Sequence, residues 1–161
     1  MEGIMKKLIV VVLALLVSAC GFQLRGSASL PFTSVYVEGG SPDLSVDLRR
    51  AVHASGAKIL DTAQGAEAVL QVTLESREKR ILTLTSAGRV SEFQLVYRLG
   101  FRVHDPKGKE LLANQDIELK RDFTFNDAEI LSKEAEESLL YRDMENDAVQ
   151  QVLRRMSAIK I

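Results

Sequence analysis

The chain is short of the residues that usually cross-link or activate small proteins. Its 161 residues include one cysteine, Cys20, and two histidines, His53 and His104. A single cysteine forms no intramolecular disulfide, so the fold must depend on an apolar core. Neither histidine has a partner at metal-ligand spacing, and the sequence has no G-x-S-x-G motif, phosphate-binding glycine loop or zinc signature. The sequence therefore predicts no catalytic residue, no metal and no cofactor, in a protein that is not an enzyme.

An excess of one charge and a long apolar run are lacking as well. The 21 lysines and arginines nearly balance the 22 aspartates and glutamates, which gives a net charge of −1 at pH 7. Nucleic-acid binders usually carry a basic excess, so this balance predicts no nucleic-acid partner. The apolar run from Leu8 to Val17 is shorter than the roughly 20 residues that a transmembrane helix needs.

This short apolar run fits an export signal instead. Two lysines precede it, and Val17-Ser18-Ala19-Cys20 follows with small residues at a cleavage site. A signal that ends at a cysteine is the lipobox pattern of bacterial lipoproteins, whose acylated thiol holds them on a membrane. We predict a signal peptide over residues 1–19, lipidation of Cys20, a lipid-anchored tether over 20–31 and one domain over 32–161. The alternative is an ordinary secretory signal that leaves Cys20 as a free thiol.

Alternating polar and apolar residues predict a β-sheet with one buried and one solvated face. Short strands are predicted at Ser34–Glu38 and, as a candidate, at Lys58–Leu60. Longer strands are predicted at Ala68–Glu75, continued by Ile81–Thr85 after an interruption at Arg77–Lys79, and at Phe93–Val103 and Ile117–Phe125. Ser86-Ala87-Gly88 is the predicted tip of a hairpin.

Two segments have helical periodicity. The first begins after Ser41, with Pro42 at its first position, and ends at Gly56. The second, roughly 30 residues long, follows the capping pair Asn126 and Glu129 and carries an apolar stripe. Because both helices need an apolar surface and the sheet offers one, the pattern predicts an α+β two-layer sandwich.

Basic residues gather around the predicted hairpin. Arg77, Lys79 and Arg80 lie on the strand before the tip, Arg89 follows the tip, and Lys133 lies in the first turns of the long helix. Arginine pairs with phosphate or carboxylate groups through two hydrogen bonds, so this cluster is a candidate site for an anionic lipid. The other interpretation is that these residues only keep the surface soluble. The dense acidic residues of the long helix are interpreted as a solvated helix face.

Three motifs occur in order along the chain. They are Cys20-Gly21-Phe22-Gln23-Leu24-Arg25 after the signal, Glu92-Phe93-Gln94-Leu95 in an alternating strand, and Arg121-Asp122-Phe123 before a helix that reads Leu131-Ser132-Lys133-Glu134-Ala135-Glu136. Together they resemble the LPS-assembly lipoprotein family, LptE. The lipobox alone is common to all lipoproteins, whereas the combination is much more specific and covers the whole mature chain.

The resemblance implies a fold and a function. The fold is two helices packed on one face of a mostly antiparallel four-stranded sheet. The function is that of a 1:1 plug in the outer-membrane barrel LptD, which assists the assembly of the barrel and binds lipopolysaccharide (LPS) during its transport to the cell surface. Arg89 and Lys133 are the first candidates for LPS contacts.

The same resemblance implies a place in the cell. The protein is expected to be lipid-anchored in the outer membrane and to face the periplasm. Gly21 agrees with this, because an aspartate after the acylated cysteine marks retention in the inner membrane. The alternatives are another outer-membrane lipoprotein adaptor, such as a secretin pilot or a barrel-assembly accessory, and a lipid-anchored hydrolase. The lack of a nucleophile–base arrangement disfavours the hydrolase.

Overall fold

The computed structural model describes residues 29–126 and 129–160. The predicted signal peptide over residues 1–19, the lipidation of Cys20 and the tether as far as residue 28 lie outside the described residues and stay predictions. None of the helices that the structure describes combines the length and the apolar character needed to cross a membrane.

A mixed sheet of five strands forms one layer of the described fold. The strands are β1 (Ser34–Glu38), β2 (Lys58–Leu60), β3 (Ala68–Leu84), β4 (Val90–His104) and β5 (Glu110–Thr124). Their order in the sheet is β2-β1-β3-β4-β5. Strand β1 runs parallel to β2 and β3, and the three long strands β3, β4 and β5 form an antiparallel meander.

The sheet differs from the expected one in two details. It has five strands rather than four, because Lys58–Leu60 pairs with β1. Strand β3 also continues through the expected interruption, since Arg77 pairs with Tyr97 and Lys79 pairs with Leu95 in the ladder with β4. The charged residues therefore leave the backbone ladder intact, and their side chains pair with glutamates, Arg77 with Glu145 and Lys79 with Glu137.

The two helices, α1 (Pro42–Ala54) and α2 (Ile130–Ser157), form the second layer. The predicted ends of α1 are confirmed: Ser41 Oγ accepts the Leu44 N–H at 3.3 Å, and Gly56 follows the helix with a φ of +92°. The predicted capping pair of α2 is wrong. Glu129 is the residue before the helix, and its side chain makes no capping hydrogen bond. Its N–H donates to the Asn126 carbonyl at 3.0 Å.

Both helices pack on the same face of the sheet, which confirms the α+β two-layer sandwich. Helix α1 lies over β1 and β2, whereas α2 lies beside α1 and over β4 and β5. The largest fully buried side chains come from both helices and from the sheet. They include Leu44, Leu48, Leu95, Tyr97, Leu99, Phe101, Met144 and Met156. The central strand β3 lies under the gap between the helices, and this gap positions the charged residues described next.

Candidate functional site

The three basic residues predicted to cluster on β3 lie on two different faces of the sheet. Successive side chains of a strand point to opposite faces. Arg77 and Lys79 face the helices, where each is paired with a glutamate of α2. Arg80 is on the other face, called the open face here because no helix covers it, and pairs with Glu78 through Nε at 3.0 Å and Nη2 at 2.5 Å. The predicted cluster of Arg77, Lys79 and Arg80 is therefore divided.

Arg77 stabilises a buried carboxylate. Its Nη2 donates to Glu145 Oε2 at 2.7 Å, and its guanidinium lies 5.6 Å from the centroid of the Tyr141 ring. Glu145 is only 4% exposed, and this burial raises the pKa of its carboxyl, while the charge of Arg77 acts in the opposite direction. Because the Arg77 charge already compensates Glu145, this arginine has a structural role between β3 and α2.

Lys79 lies between a carboxylate and an aromatic cluster. Its Nζ is 2.5 Å from Glu137 Oε2 and 4.3 Å from the centroid of the Phe93 ring. Phe93 in turn stacks on Phe123 and meets the edge of Phe125, with ring centroids 5.8 and 5.1 Å apart. A cation held over aromatic faces and paired with a carboxylate is largely satisfied within the fold.

Lys133 is also paired. Its Nζ lies 2.7 Å from Glu136 Oε2 and 3.3 Å from Thr124 Oγ1, and its side chain is 14% exposed. These contacts hold the first turn of α2 against the last residue of β5. A ligand phosphate at Lys133 would compete with Glu136, so Lys133 is a weaker candidate than the sequence indicates.

Arg89 is the predicted basic residue that the structure leaves available. It is exposed beside the hairpin tip, where its backbone carbonyl accepts the Thr85 N–H at 2.7 Å. Within residues 29–126 and 129–160, no acidic side chain forms an ion pair with the Arg89 guanidinium. Its charge and its five donors are therefore free to meet an anionic group.

Exposed apolar side chains surround the same end of the sheet. Ile81, Leu82 and Leu84 on the hairpin are 60%, 47% and 53% exposed, and Ile130 and Leu131 at the start of α2 are 48% and 82% exposed. We call this end, formed by residues 81–92 and 130–133, the hairpin end. The exposure of these apolar side chains was not predicted from the sequence, although the consecutive residues Ile81 and Leu82 break the polar–apolar alternation and indicate it.

The strand register shows that the two parts of the hairpin end are neighbours. Thr83 lies opposite Glu92, and Glu92 lies opposite Thr124. Adjacent strands are about 4.8 Å apart, so Thr83 and Thr124 are separated by about 10 Å. Lys133 contacts Thr124, which brings the first turn of α2 to the side of the hairpin. The hairpin end thus combines apolar side chains with a free arginine, which is the chemistry that binds an anionic amphiphile.

The open face of the sheet is polar over the long strands. Arg98 lies between Glu78 and Glu118 and pairs with both. Hydrogen bonds from Lys120 and Arg98 lower the pKa of Glu118 to about 2. Further hydrogen bonds join Gln94 to Asp122, Thr73 to Asn114 and Arg102 to Gln71. This face therefore confirms the predicted sheet with one wet side, and it offers a polar surface to a partner.

No group of three or more histidine, cysteine, aspartate or glutamate side chains able to hold a metal ion occurs in the described part of the chain.

Comparison with known proteins shows the family to which the chain belongs. The model of the LptE family, described as lipopolysaccharide-assembly, matches residues 32–156. The chain belongs to the LptE family.

Relatives within and around this family agree in length and fold. The LPS-assembly lipoprotein LptE of Pectobacterium atrosepticum is 29% identical over 153 residues, which cover 91% of this chain and 82% of the relative. The solution structure of lipoprotein B from Nitrosomonas europaea is 45% identical, has a TM-score of 0.75 and is matched over 86% of this chain and 91% of that one. The crystal structure of rare lipoprotein B from Shewanella oneidensis is 28% identical, with a TM-score of 0.68 and coverages of 78% and 94%.

Proposed function

We propose that this LptE-family protein is an outer-membrane lipoprotein that plugs the LPS-translocon barrel LptD, assists its assembly and binds LPS on its way to the cell surface. The proposal rests on membership of a lipopolysaccharide-assembly family. It describes a binding and assembly role without catalysis. The single structural observation that supports it best is the hairpin end, where exposed apolar residues adjoin the unpaired Arg89.

The hairpin end matches the chemistry of LPS. The lipid A part of LPS carries phosphates next to acyl chains. The guanidinium of Arg89 can bind a phosphate oxygen pair with two hydrogen bonds, and Ile81, Leu82 and Leu84 offer apolar contacts to the chains. Lys133 adjoins this surface and can contribute once Glu136 yields its ion pair. Arg77, Lys79 and Arg80 take no direct part in the proposed site, because their charges are used within the fold.

The open face matches the environment proposed for a plug. The lumen of a membrane β-barrel is polar, in contrast to its lipid-facing surface. A plug that presents Arg98, Glu118 and their neighbours can exchange hydrogen bonds with such a lumen. Lipidation of Cys20, with Gly21 after it, would hold the plug at the outer membrane.

A pull-down tests the partner. The full-length protein with a C-terminal tag is purified from membranes in a non-ionic detergent, and the co-purifying proteins are identified by mass spectrometry. We expect LptD at a 1:1 ratio. Recovery of a secretin or of the general barrel-assembly machinery without LptD would favour the adaptor alternative and contradict the proposal.

Depletion tests the role. Lowering the amount of the protein in cells should leave LptD misassembled and reduce LPS at the surface. Normal levels of folded LptD together with unchanged surface LPS would refute both parts of the proposed function. A strain that expresses the protein from an inducible copy is the matched control.

A further inference from the structure

The described sheet has one long free edge. Its two edge strands are β2, with 3 residues, and β5, with 15 residues. Among the residues that the structure describes, no strand pairs with the outer side of β5. A long unpaired strand presents a row of N–H and C=O groups on which a strand of another molecule can pair. The β5 edge is therefore the place where edge-to-edge association of this sheet would begin.

The ladder with β4 shows which residues of β5 point outward. The Phe125 N–H donates to the Ser91 carbonyl at 2.8 Å, so Phe125 bonds toward β4. Successive residues of an antiparallel strand bond alternately toward the neighbouring strand and away from it. The pairing of β4 with β5 is regular over residues 115–124 of β5. The even-numbered residues of this stretch therefore turn their N–H and C=O groups toward the free edge.

Two arginines bind carbonyl groups of this outward row. Arg155 of α2 donates from Nη1 to the Asp116 carbonyl at 3.2 Å. Arg121 donates from Nη1 to the Lys120 carbonyl at 3.0 Å, and its Nη2 donates to Oδ2 of Asp147 on α2 at 2.8 Å. Side chains held on the helix layer thus occupy two acceptors that an incoming strand would need.

The spacing of the two contacts protects the middle of the edge. Four residues separate Asp116 from Lys120, which is about 13 Å along a strand. A strand of typical length, about five residues, cannot pair with the middle of β5 without displacing one of the two arginines. Beside them, Gln115 Nε2 donates to the carbonyls of Ala113 and Asn114, both at 3.3 Å.

The strand that fits this edge best is β5 of a second copy. Two antiparallel β5 strands related by a twofold axis offer each other edges of equal length. In the register centred on Glu118, Asp116 of each copy lies opposite Lys120 of the other, so opposite charges meet twice. The two facing Glu118 carboxylates are each compensated by Arg98. This register uses the same two carbonyls that Arg121 and Arg155 occupy.

We propose that Arg121 and Arg155 close the β5 edge to strand pairing with a second copy of this chain. The two side chains act as an autoinhibitory contact, because pairing can begin only after they release their carbonyls. The inference does not depend on the proposed function, since neither LPS nor LptD takes part in it.

Removal of both arginines tests the contact. Arg121→Ala/Arg155→Ala and the wild type, both as the full chain in an excess of non-ionic detergent micelles, are compared by size-exclusion chromatography with light scattering. The double variant should dimerise at protein concentrations at least about ten-fold below those of the wild type, since pairing no longer breaks a charged hydrogen bond. A folded double variant that stays as monomeric as the wild type would overturn the proposal.

Hydrogen exchange followed by NMR identifies the surface that associates. The outward amides of Asp116, Glu118 and Lys120 should exchange rapidly in the wild type and slowly in the dimer of the double variant. Unfolding or contact between apolar surfaces would not protect these alternate amides. Association without their protection would contradict pairing at β5.

Two further variants serve as controls. Lys120→Pro, added to the double variant, removes an outward N–H and leaves the ladder with β4 intact, so it should restore the monomer. Arg142→Ala/Arg154→Ala removes two exposed cations of α2 that bind no β5 carbonyl in the described structure, and it should behave like the wild type. Dimers that persist with Lys120→Pro, or that form equally in this second pair, would refute the role of the edge.

Circular dichroism checks that each variant is folded. If the double variant does not fold, Arg121→Ala and Arg155→Ala are measured singly. Each removes one of the two contacts and should dimerise at lower concentration than the wild type. Monomers in both single variants would contradict the proposal.

Discussion

Glu145 and Glu118 are two carboxylates whose pKa values shift in opposite directions. Burial of Glu145, which α2 carries, raises the pKa of its carboxyl, and the charge of Arg77 opposes this rise only in part. The acidic groups that face Glu145 from α1 and β3 raise its pKa further; they are Asp43, Asp47 and Glu75. Glu118 lies on the open face, where Lys120 and Arg98 lower the pKa of its carboxyl to about 2.

These shifts predict opposite effects of pH on stability. Because the pKa of Glu145 is raised in the folded protein, the folded chain loses this proton at a higher pH than the unfolded chain, whose ordinary pKa is 4.5. The free energy of unfolding of the wild type, relative to that of Glu145→Gln, should therefore fall as the pH rises above the ordinary pKa of 4.5. Urea denaturation followed by circular dichroism at several pH values measures this difference.

Glu118→Gln is the matched comparison of opposite sign. The Glu118 carboxylate stabilises the folded state above its ordinary pKa of 4.5, and this contribution is lost as the pH falls toward about 2. The wild type should gain stability relative to this variant as the pH rises through that range. Equal pH dependence in both variants would show that burial does not control the ionisation of Glu145.

A second prediction at this scale concerns Arg89. Arg89→Glu should weaken the binding of purified LPS at least about ten-fold, because it replaces a free bidentate donor by a charge that repels phosphate. Arg154→Glu, a reversal at an exposed residue near the far end of α2, is the control and should bind normally. Binding is measured by the quenching of a fluorescent LPS. Equal binding by the two variants would remove Arg89 from the proposed site.

Among the elements, helix α2 allows the clearest test of how the burial of a side chain affects the free energy of unfolding. Met144 is fully buried against the sheet, whereas Leu139, five residues earlier, is 56% exposed. Met144→Ala should lower the free energy of unfolding by about 2–5 kcal/mol, since it leaves a cavity in the core. Leu139→Ala should change it by less than about 0.5 kcal/mol. Chemical denaturation of both variants gives the two values, and similar losses would contradict the packing of α2 described here.

In the hairpin, changes that weaken the proposed LPS binding should leave the free energy of unfolding nearly unchanged. Leu82 and Leu84 are about half exposed, so replacing both by serine should leave the free energy of unfolding within about 0.5 kcal/mol of the wild type. LPS binding should still weaken, because the acyl chains lose apolar contacts. Thermal melting and the fluorescence assay measure the two effects. Unchanged binding would limit the site to Arg89 and its polar surroundings.

The same two elements show what the sequence can predict. Alternation predicted the long strands and the wet face, because it follows from local geometry. Helical periodicity predicted the buried residues in the second half of α2, such as Met144 and Val152, but the predicted stripe also included Leu131 and Leu139, which are exposed. Glu145, which the sequence placed on the solvated face, is buried.

The sequence could not predict that Glu145 and Glu137 would compensate Arg77 and Lys79, since these pairs join residues 68 and 58 positions apart. The availability of Arg89 and the pairing of Lys133 likewise depend on tertiary contacts. Five similar-looking cations in the sequence therefore separate into one free and four paired groups within the described structure.

On the scale of the whole molecule, the start of the described chain and the proposed site lie at opposite ends of the sheet. The described chain begins near the start of β3, since Val35 of β1 lies opposite Ala68. The hairpin end lies 16 residues farther along β3, or about 53 Å at 3.3 Å per residue. The nine residues from 20 to 28 span at most about 32 Å when fully extended. If Cys20 carries the predicted lipid, the tether alone would therefore not bring this anchor to the hairpin end, which would lie away from the anchor or along the membrane.

The proposed function requires that the predicted lipid anchor lie in the outer membrane rather than in the inner membrane. Gly21→Asp should leave the lipidation of Cys20 intact and retain the protein in the inner membrane, so that it cannot reach the barrel. The variant should keep the acylated mass of the wild type, move to the inner-membrane fraction of a sucrose gradient and lower surface LPS. Cys20→Ser is the companion variant and should lose the acyl mass altogether, because three acyl chains need the cysteine thiol and its amine. Since neither change touches the described domain, the fold should stay as it is in both. A Gly21→Asp protein that still fractionates with the outer membrane and supports normal LPS export would contradict the predicted sorting, while an unmodified Cys20 in the wild type would contradict the anchor itself.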